Sequence, residues 1–110
     1  LEVYQAEGNA VEAARVAVNV AEAFVTAADP QAGAGRLLLR AGQPDRAAGY
    51  LARAVSLAPS DVGYGLSLAE AQFATGDPAA SAATLERLLR LAPDDPRPAR
   101  WLDFVRSGSG

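Results

Sequence analysis

An all-α array of antiparallel helix pairs, stacked as a solenoid with a 34-residue period, is the fold class this sequence predicts, and three observations predict it. The chain repeats itself: GQPDRAAGYLARAVSLAPSD at 42–61 aligns with GDPAASAATLERLLRLAPDD at 76–95, with nine of twenty positions identical. Glycines, prolines and capping acids recur where one helix must stop and the next must start. Between these punctuation points the apolar residues fall at helical spacing, and no segment alternates as a strand would. The Ala-rich, aromatic-poor composition suits close helix–helix contact better than a sandwich of β-branched strands.

Six helices are expected, at about 10–27, 31–41, 44–57, 62–75, 78–91 and 96–106. In helix 10–27, Val11, Val16, Val18, Val20, Phe24 and Val25 spread around most of the circumference. Such a helix should be covered on several sides, by residues upstream of the chain or by a second copy of it. A third, weaker repeat copy aligns Gly8 with Gly42 and makes residues 1–6 the tail of a preceding helix.

Helix 31–41 follows Asp29-Pro30, an acid that can accept from first-turn amides and a residue that lacks one. Gly42 should let the chain leave that helix in the left-handed conformation. Helix 44–57 presents Ala47, Leu51, Ala54 and Val55 as one stripe and is closed by Pro59. Asp61 can cap helix 62–75, and Gly76 repeats the role of Gly42. Asp77-Pro78 opens helix 78–91, whose stripe is Ala82, Leu85, Leu88 and Leu89, with Pro93 after it. Asp95-Pro96 opens helix 96–106, where Pro98, Trp101, Leu102 and Val105 line up. The run Ser107-Gly108-Ser109-Gly110 is expected to be a flexible linker or appended tail outside the fold. Each helix pair has too small a core to stand alone, so stacking must supply the stability.

Composition narrows the chemistry. There is no Cys, His or Lys, which removes thiol nucleophiles, the commonest general base and metal ligand, and Schiff-base chemistry. No metal or organic cofactor is implied. The adjacent acids Asp94 and Asp95 lie in a helix-capping turn, so capping outweighs acid–base catalysis as their role. Residues 1–31 carry five acids and one Arg, whereas 84–110 carry five Arg and four acids. Neither end is a cationic patch of the kind that tracks phosphate backbones, so nucleic acid is not an expected partner. No apolar run reaches the roughly 18 residues that a membrane-spanning helix needs, so direct membrane insertion is not expected. The Ala, Arg and Gly bias points to a GC-rich bacterial genome, and the absence of Met to a piece of a longer protein.

A helix–turn–helix unit of 34 residues with this punctuation resembles the tetratricopeptide repeat. Gly35 and Ala69 match that family's small position in its first helix, helix A, and Ala47, Ser81 and Ala54 match small positions in its second helix, helix B. Pro59 and Pro93 match the terminal proline. The sequence departs from the pattern where the family has a large residue near the start of helix A, here Gln31 and Gly65, and where Leu88 replaces a helix B alanine. The resemblance implies a right-handed α-solenoid over residues 1–106, with a partial repeat at 1–27, full repeats at 28–61 and 62–95, and a partial or capping helix at 96–106.

The resemblance also implies a protein–protein interaction module, without catalysis, that binds a peptide or helix of a partner in the concave groove lined by its A helices. Carried over by register, the groove residues are Arg36, Leu39 and Arg40, then Leu66, Glu70 and Phe73, then Arg97 and Arg100, with Trp101 and Phe104 on the same helix. Each has a plainer alternative: Leu39 and Phe73 as core, Trp101 as a cap over the last pair, Arg36 and Arg40 as a solvated face, and Arg97, Arg100 and Arg106 as partners of Asp94, Asp95 and Asp103. The Lys/Asn carboxylate clamp of the family's chaperone-tail binders is not expected, because its positions hold Ala32, Arg36, Ser67, Arg97 and Trp101. A scaffold or self-association role within a larger bacterial protein is the second functional expectation, with homo-oligomers forming through incomplete end repeats.

Overall fold

The computed structural model describes residues 2–108, with side chains from Gly8 onward, and contains six helices. They are α1 (Glu2–Ala23), α2 (Ala28–Arg40), α3 (Pro44–Leu57), α4 (Val62–Ala74), α5 (Pro78–Leu91) and α6 (Pro96–Gly108). No strand occurs among the described residues. Each helix packs on its successor, and α2 also touches α4 and α4 touches α6. Neither α1 and α3 nor α3 and α5 meet in the same way. An inner layer whose backbones approach and an outer layer whose backbones stay farther apart is the arrangement of a curved stack, with α2, α4 and α6 on the inner side.

The turns within the two central pairs are built alike. Gly42 and Gly76 adopt positive φ, at 77° and 89°, and are the residues of that kind among those described. Around the first, Gly42 N–H donates to Leu39 O and Gln43 N–H to Leu38 O. Around the second, Gly76 N–H donates to Phe73 O and Asp77 N–H to Gln72 O. These are Schellman closures, in which glycine carries the left-handed residue and the last carbonyls find donors. Pro44, Pro78 and Pro96 then open the next helices without leaving an orphan amide. Asp61 accepts from Tyr64 N–H and Asp77 from Ala80 N–H, each at 3.0 Å.

Two expectations about the first third of the chain are corrected. α1 runs unbroken from residue 2 to Ala23, so Gly8 is an interior helical residue and residues 2–6 belong to α1, not to a separate preceding helix. The physical difference lies two positions on: Gly42 and Gly76 are followed by Pro44 and Pro78, whereas Gly8 is followed by Ala10, which does not oppose continuation. Leu1 lies outside the described residues. The second correction is that α2 begins at Ala28, its N-cap is Ala27, and Asp29 makes no cap hydrogen bond. The 34-residue offset maps Asp29 onto Gly63, inside the first turn of α4, so the Asp29-Pro30 pair occupies helix positions and not a boundary.

The end of α1 is fixed by a side chain from the next helix. Gln31 is fully buried, and its amide donates to the carbonyls of Ala21 at 2.8 Å and Phe24 at 3.0 Å. At the other terminus α6 extends to Gly108, so Ser107 and Gly108 are helical and not linker; Ser109 and Gly110 lie outside the described residues. Gly108 lies against the Phe73 ring, where an added methyl would stand 3.3 Å from the ring edge.

Two core clusters form along the stack. The first gathers Leu38, Leu51, Ala54 and Leu68 with Ala14 and Ala47, and the second Ala69, Leu85, Leu88, Leu102 and Val105. Close approach depends on glycine at two places. A methyl on Gly35 would lie 2.4 Å from Leu51 Cγ, and one on Gly65 would lie 2.5 Å from Leu88 Cδ2. Both contacts join the two helices of one pair. α1 buries Ala14 and Ala21, but Val11, Val16, Val20, Phe24 and Val25 are each 43–60% exposed.

Candidate functional site

The inner face is built on α2, α4 and α6, and a hollow lies between the first two. A cavity of about 330 Å³ is lined by Arg36, Leu39 and Arg40 from α2 and by Ser67 and Glu70 from α4. Four residues that the sequence register assigns to a groove, Arg36, Leu39, Arg40 and Glu70, therefore surround one space.

Arg36 is held in place from both sides. Its Nε donates to Ser67 Oγ at 3.0 Å, and its guanidinium carbon stands 5.4 Å from the centroid of the Tyr64 ring. Stacking on an aromatic face stiffens a long side chain, so less entropy is lost when its outer nitrogens bind something else. Leu39 is half-buried, packs on the first core cluster and forms the floor. Arg40 and Glu70 are exposed. Arg36, Arg40 and Arg100 make no ion pair with a described residue.

A second hollow, of about 250 Å³, is lined by Arg100, Trp101 and Phe104 on α6. The Trp101 and Phe104 rings meet edge-on, with centroids 5.6 Å apart and planes at 83°. Phe73 supports Phe104 from α4 at 5.4 Å between centroids. Such tilted pairs present a rigid apolar surface. Phe104 is 55% exposed, so much of that surface faces solvent.

The remaining register-assigned residues sit elsewhere. Leu66 is half-buried against the second core cluster and does not line either hollow. Phe73 is also half-buried there, as the support for Phe104. Arg97 is engaged by Asp95, donating to its carboxylate at 2.7 Å through Nη2 and at 3.1 and 3.2 Å through Nε. Asp95 also accepts from Arg97 N–H at 3.0 Å. The Arg97 side chain first, and its backbone amide second, lower the Asp95 carboxyl to about 2. Arg106 pairs with Glu86 at 3.5 Å.

Sequence register passed over Tyr64 as a groove residue and named Ser67 only as a clamp position. Tyr64 is buried and acts through its ring face, a role that needs Arg36 to lie across it from the neighbouring helix. Nothing in the spacing of the two residues announces that contact.

Outside the inner face, a polar cluster joins α1 to α3. Tyr50 Oη donates to Glu22 at 2.6 Å and Arg53 donates to the same carboxylate at 3.1 Å. Tyr50 foremost, then Arg53, lowers the Glu22 carboxyl, and Glu22 in turn raises the Tyr50 phenol. Arg53 also reaches Gln31 Oε1 at 3.4 Å, so the cluster ties the first outer helix to the next pair. Among the described residues no helix is long and apolar enough to cross a membrane, and no group of three or more metal-binding side chains comes together.

Comparison with known proteins bears on the whole arrangement. The family model for the tetratricopeptide repeat matches residues 38–100. Among solved structures, the chain is similar to SycD, the type III secretion translocator chaperone of Yersinia enterocolitica, with a TM-score of 0.79 at 18% identity over 96% of this chain and 77% of that one. It is also similar to a mutant O-GlcNAc transferase of Thermobaculum terrenum, with a TM-score of 0.75 at 25% identity over 94% of this chain. That alignment spans 20% of the transferase. A search of curated proteins found no match.

Proposed function

The chain belongs to the tetratricopeptide repeat family, and from that premise we propose that it holds a segment of a partner protein across the face formed by α2, α4 and α6, without catalysing a reaction. Tetratricopeptide repeats are in general protein–protein interaction modules, and the solved structures it resembles include a chaperone. The observation that carries the finer reading is the hollow of Arg36, Leu39, Arg40, Ser67 and Glu70 on the inner side of the stack. It offers an apolar floor with charged walls, the mixture that fixes a peptide in register. Against catalysis stands the residue set itself, which has no His, Cys or Lys to serve as base or nucleophile.

A pull-down from an extract of the source organism tests this. The native chain is compared with a variant carrying Arg36→Glu, Arg40→Glu and Phe104→Ala, all at exposed positions, after both show the same melting temperature. A partner kept by the native chain and lost by the variant is the expected result. Equal capture by both would place binding on another surface.

Self-association is the second reading, and the exposed Val11, Val16 and Val20 of α1, with Phe24 and Val25 just after it, favour it. A sedimentation mass that rises with concentration, and falls back to that of one chain with Val16→Asp and Val20→Asp, is its expected signature.

A further inference from the structure

The two hollows of the inner face differ in chemistry, and that difference defines a ligand. We propose that the groove selects a segment carrying one side-chain carboxylate about four or five residues from a bulky apolar side chain, the carboxylate at the α2–α4 hollow and the apolar group on Trp101 and Phe104. This deepens the proposed function and rests on the inner face being the binding surface.

Charge complementarity supplies the first half. The chain carries a net charge of −3, yet its inner face presents Arg36, Arg40 and Arg100 without ion-pair partners among the described residues, opposed by Glu70. Arg36 is oriented by Ser67 and Tyr64, so its outer nitrogens face a bidentate acceptor already aligned. Glu70 restricts what that acceptor can be. With two guanidinium groups and one carboxylate around the cavity, a singly charged carboxylate is balanced. A phosphorylated side chain, at about −1.5 to −2, would meet repulsion from Glu70.

Geometry supplies the second half. The α6 hollow is walled by Trp101, Phe104 and the stem of Arg100, with Phe73 locking the Phe104 ring from behind. A preset aromatic surface with an arginine stem at its rim suits an aliphatic or aromatic anchor. Neighbouring packed helices lie about 8–10 Å apart, so the one and a half steps from the hollow between α2 and α4 to α6 span roughly 12–15 Å. An extended chain advances about 3.3 Å per residue, which sets the separation at about four or five residues.

The test is selection of a random twelve-residue peptide library displayed on phage against the folded chain, followed by affinity measurements on synthetic copies of the enriched sequences. Enriched peptides are expected to share an Asp or Glu about four or five residues from Trp, Phe, Leu or Ile. Replacing the acid by its amide should weaken binding about tenfold, and Arg40→Glu should do the same for the acidic peptide while improving binding of a peptide with Arg in place of the acid. Phosphoserine in place of the acid should not bind more tightly. Phe104→Ser should lose the preference for the apolar anchor and leave the preference for the acid. Peptides that lose affinity with Arg40→Glu or Phe104→Ser but lack the paired pattern would overturn this inference and leave the proposed function standing. Enriched peptides indifferent to both variants would remove both readings. An unenriched library would overturn the inference alone, since the pull-down judges the function independently.

Discussion

The pairs α2–α3 and α4–α5 solve the same packing problem with the large residue on opposite helices. In the first pair, fully buried Gln31 on α2 stands at the repeat position where fully buried Ala54 on α3 is its counterpart. In the second, the equivalent positions hold Gly65 on α4 and Leu88 on α5, and Leu88 fills the space a side chain at residue 65 would take. A neighbouring position differs more mildly: Gly35 lies under Leu51, whereas its equivalent Ala69 carries a methyl beneath the equivalent Leu85. At the first of these positions the combined volume of the two residues is kept, because packed interiors tolerate volume-conserving exchanges far better than changes in total volume. The choice of Gln31 in the first pair adds something Leu88 does not provide, since its amide closes the end of α1.

The sharpest way to break this comparison is Leu88→Ala, which leaves a cavity over Gly65 and should cost about 2–5 kcal/mol in chemical denaturation. Adding Gly65→Gln to that change installs the pattern of the first pair. The double variant should be more stable than the sum of the two single effects predicts, whereas strict additivity would mean the two residues do not share one space.

Gln31→Leu comes next. It keeps most of the volume but leaves the Ala21 and Phe24 carbonyls without the amide, at a cost of about 1–3 kcal/mol. The loss should appear first as faster amide hydrogen exchange at the end of α1, with α5 unaffected. Loss spread evenly over all helices would count against Gln31 as a local closure.

Capping separates the pairs more finely. Asp77 accepts from Ala80 N–H at the start of α5, while its counterpart Gln43 makes no side-chain cap at the start of α3. Asp77→Ala should lower stability by about 1 kcal/mol and Gln43→Asp raise it by up to about 1 kcal/mol, both read from melting curves. An unchanged melting temperature for Gln43→Asp would show that the two turns differ in geometry despite their shared Schellman closures.

The smallest effect lies at the third boundary. The Asp95 carboxyl is lowered from 3.8 to about 2 by Arg97, so its contribution is present above that range and is lost as pH falls toward 2. Trp101 emission should therefore report loosening of the α6 start on acidification, and Asp95→Asn should remove that component of the pH profile.

Much of this architecture was legible because it is written in local chemistry. Gly42 and Gly76 with prolines two residues on, and Asp61 and Asp77 before their helices, each act within a few residues of themselves. The start of α2 was misplaced because Asp29-Pro30 imitates a boundary, although the 34-residue offset already assigns it to a first turn. The unbroken α1 was hidden by a glycine match that lacked its proline. On the inner face, register alone gathered Arg36, Leu39, Arg40 and Glu70, since helical phase decides which way each points. Leu66, Phe73 and Arg97 could not be sorted that way. Whether an aromatic ring lines a groove or braces another ring depends on what the next helix places beside it, and Arg97 was claimed by an acid two residues away.

The most direct measurement is an NMR titration of the isotopically labelled chain with the segment of the captured partner, following backbone amides, the Nε–H groups of Arg36, Arg40 and Arg100, and the Trp101 indole. Shifts confined to α2, α4 and α6 are expected, with the arginine and indole signals among the largest. Shifts concentrated on α3 and α5, with those side chains unmoved, would contradict binding on the inner face.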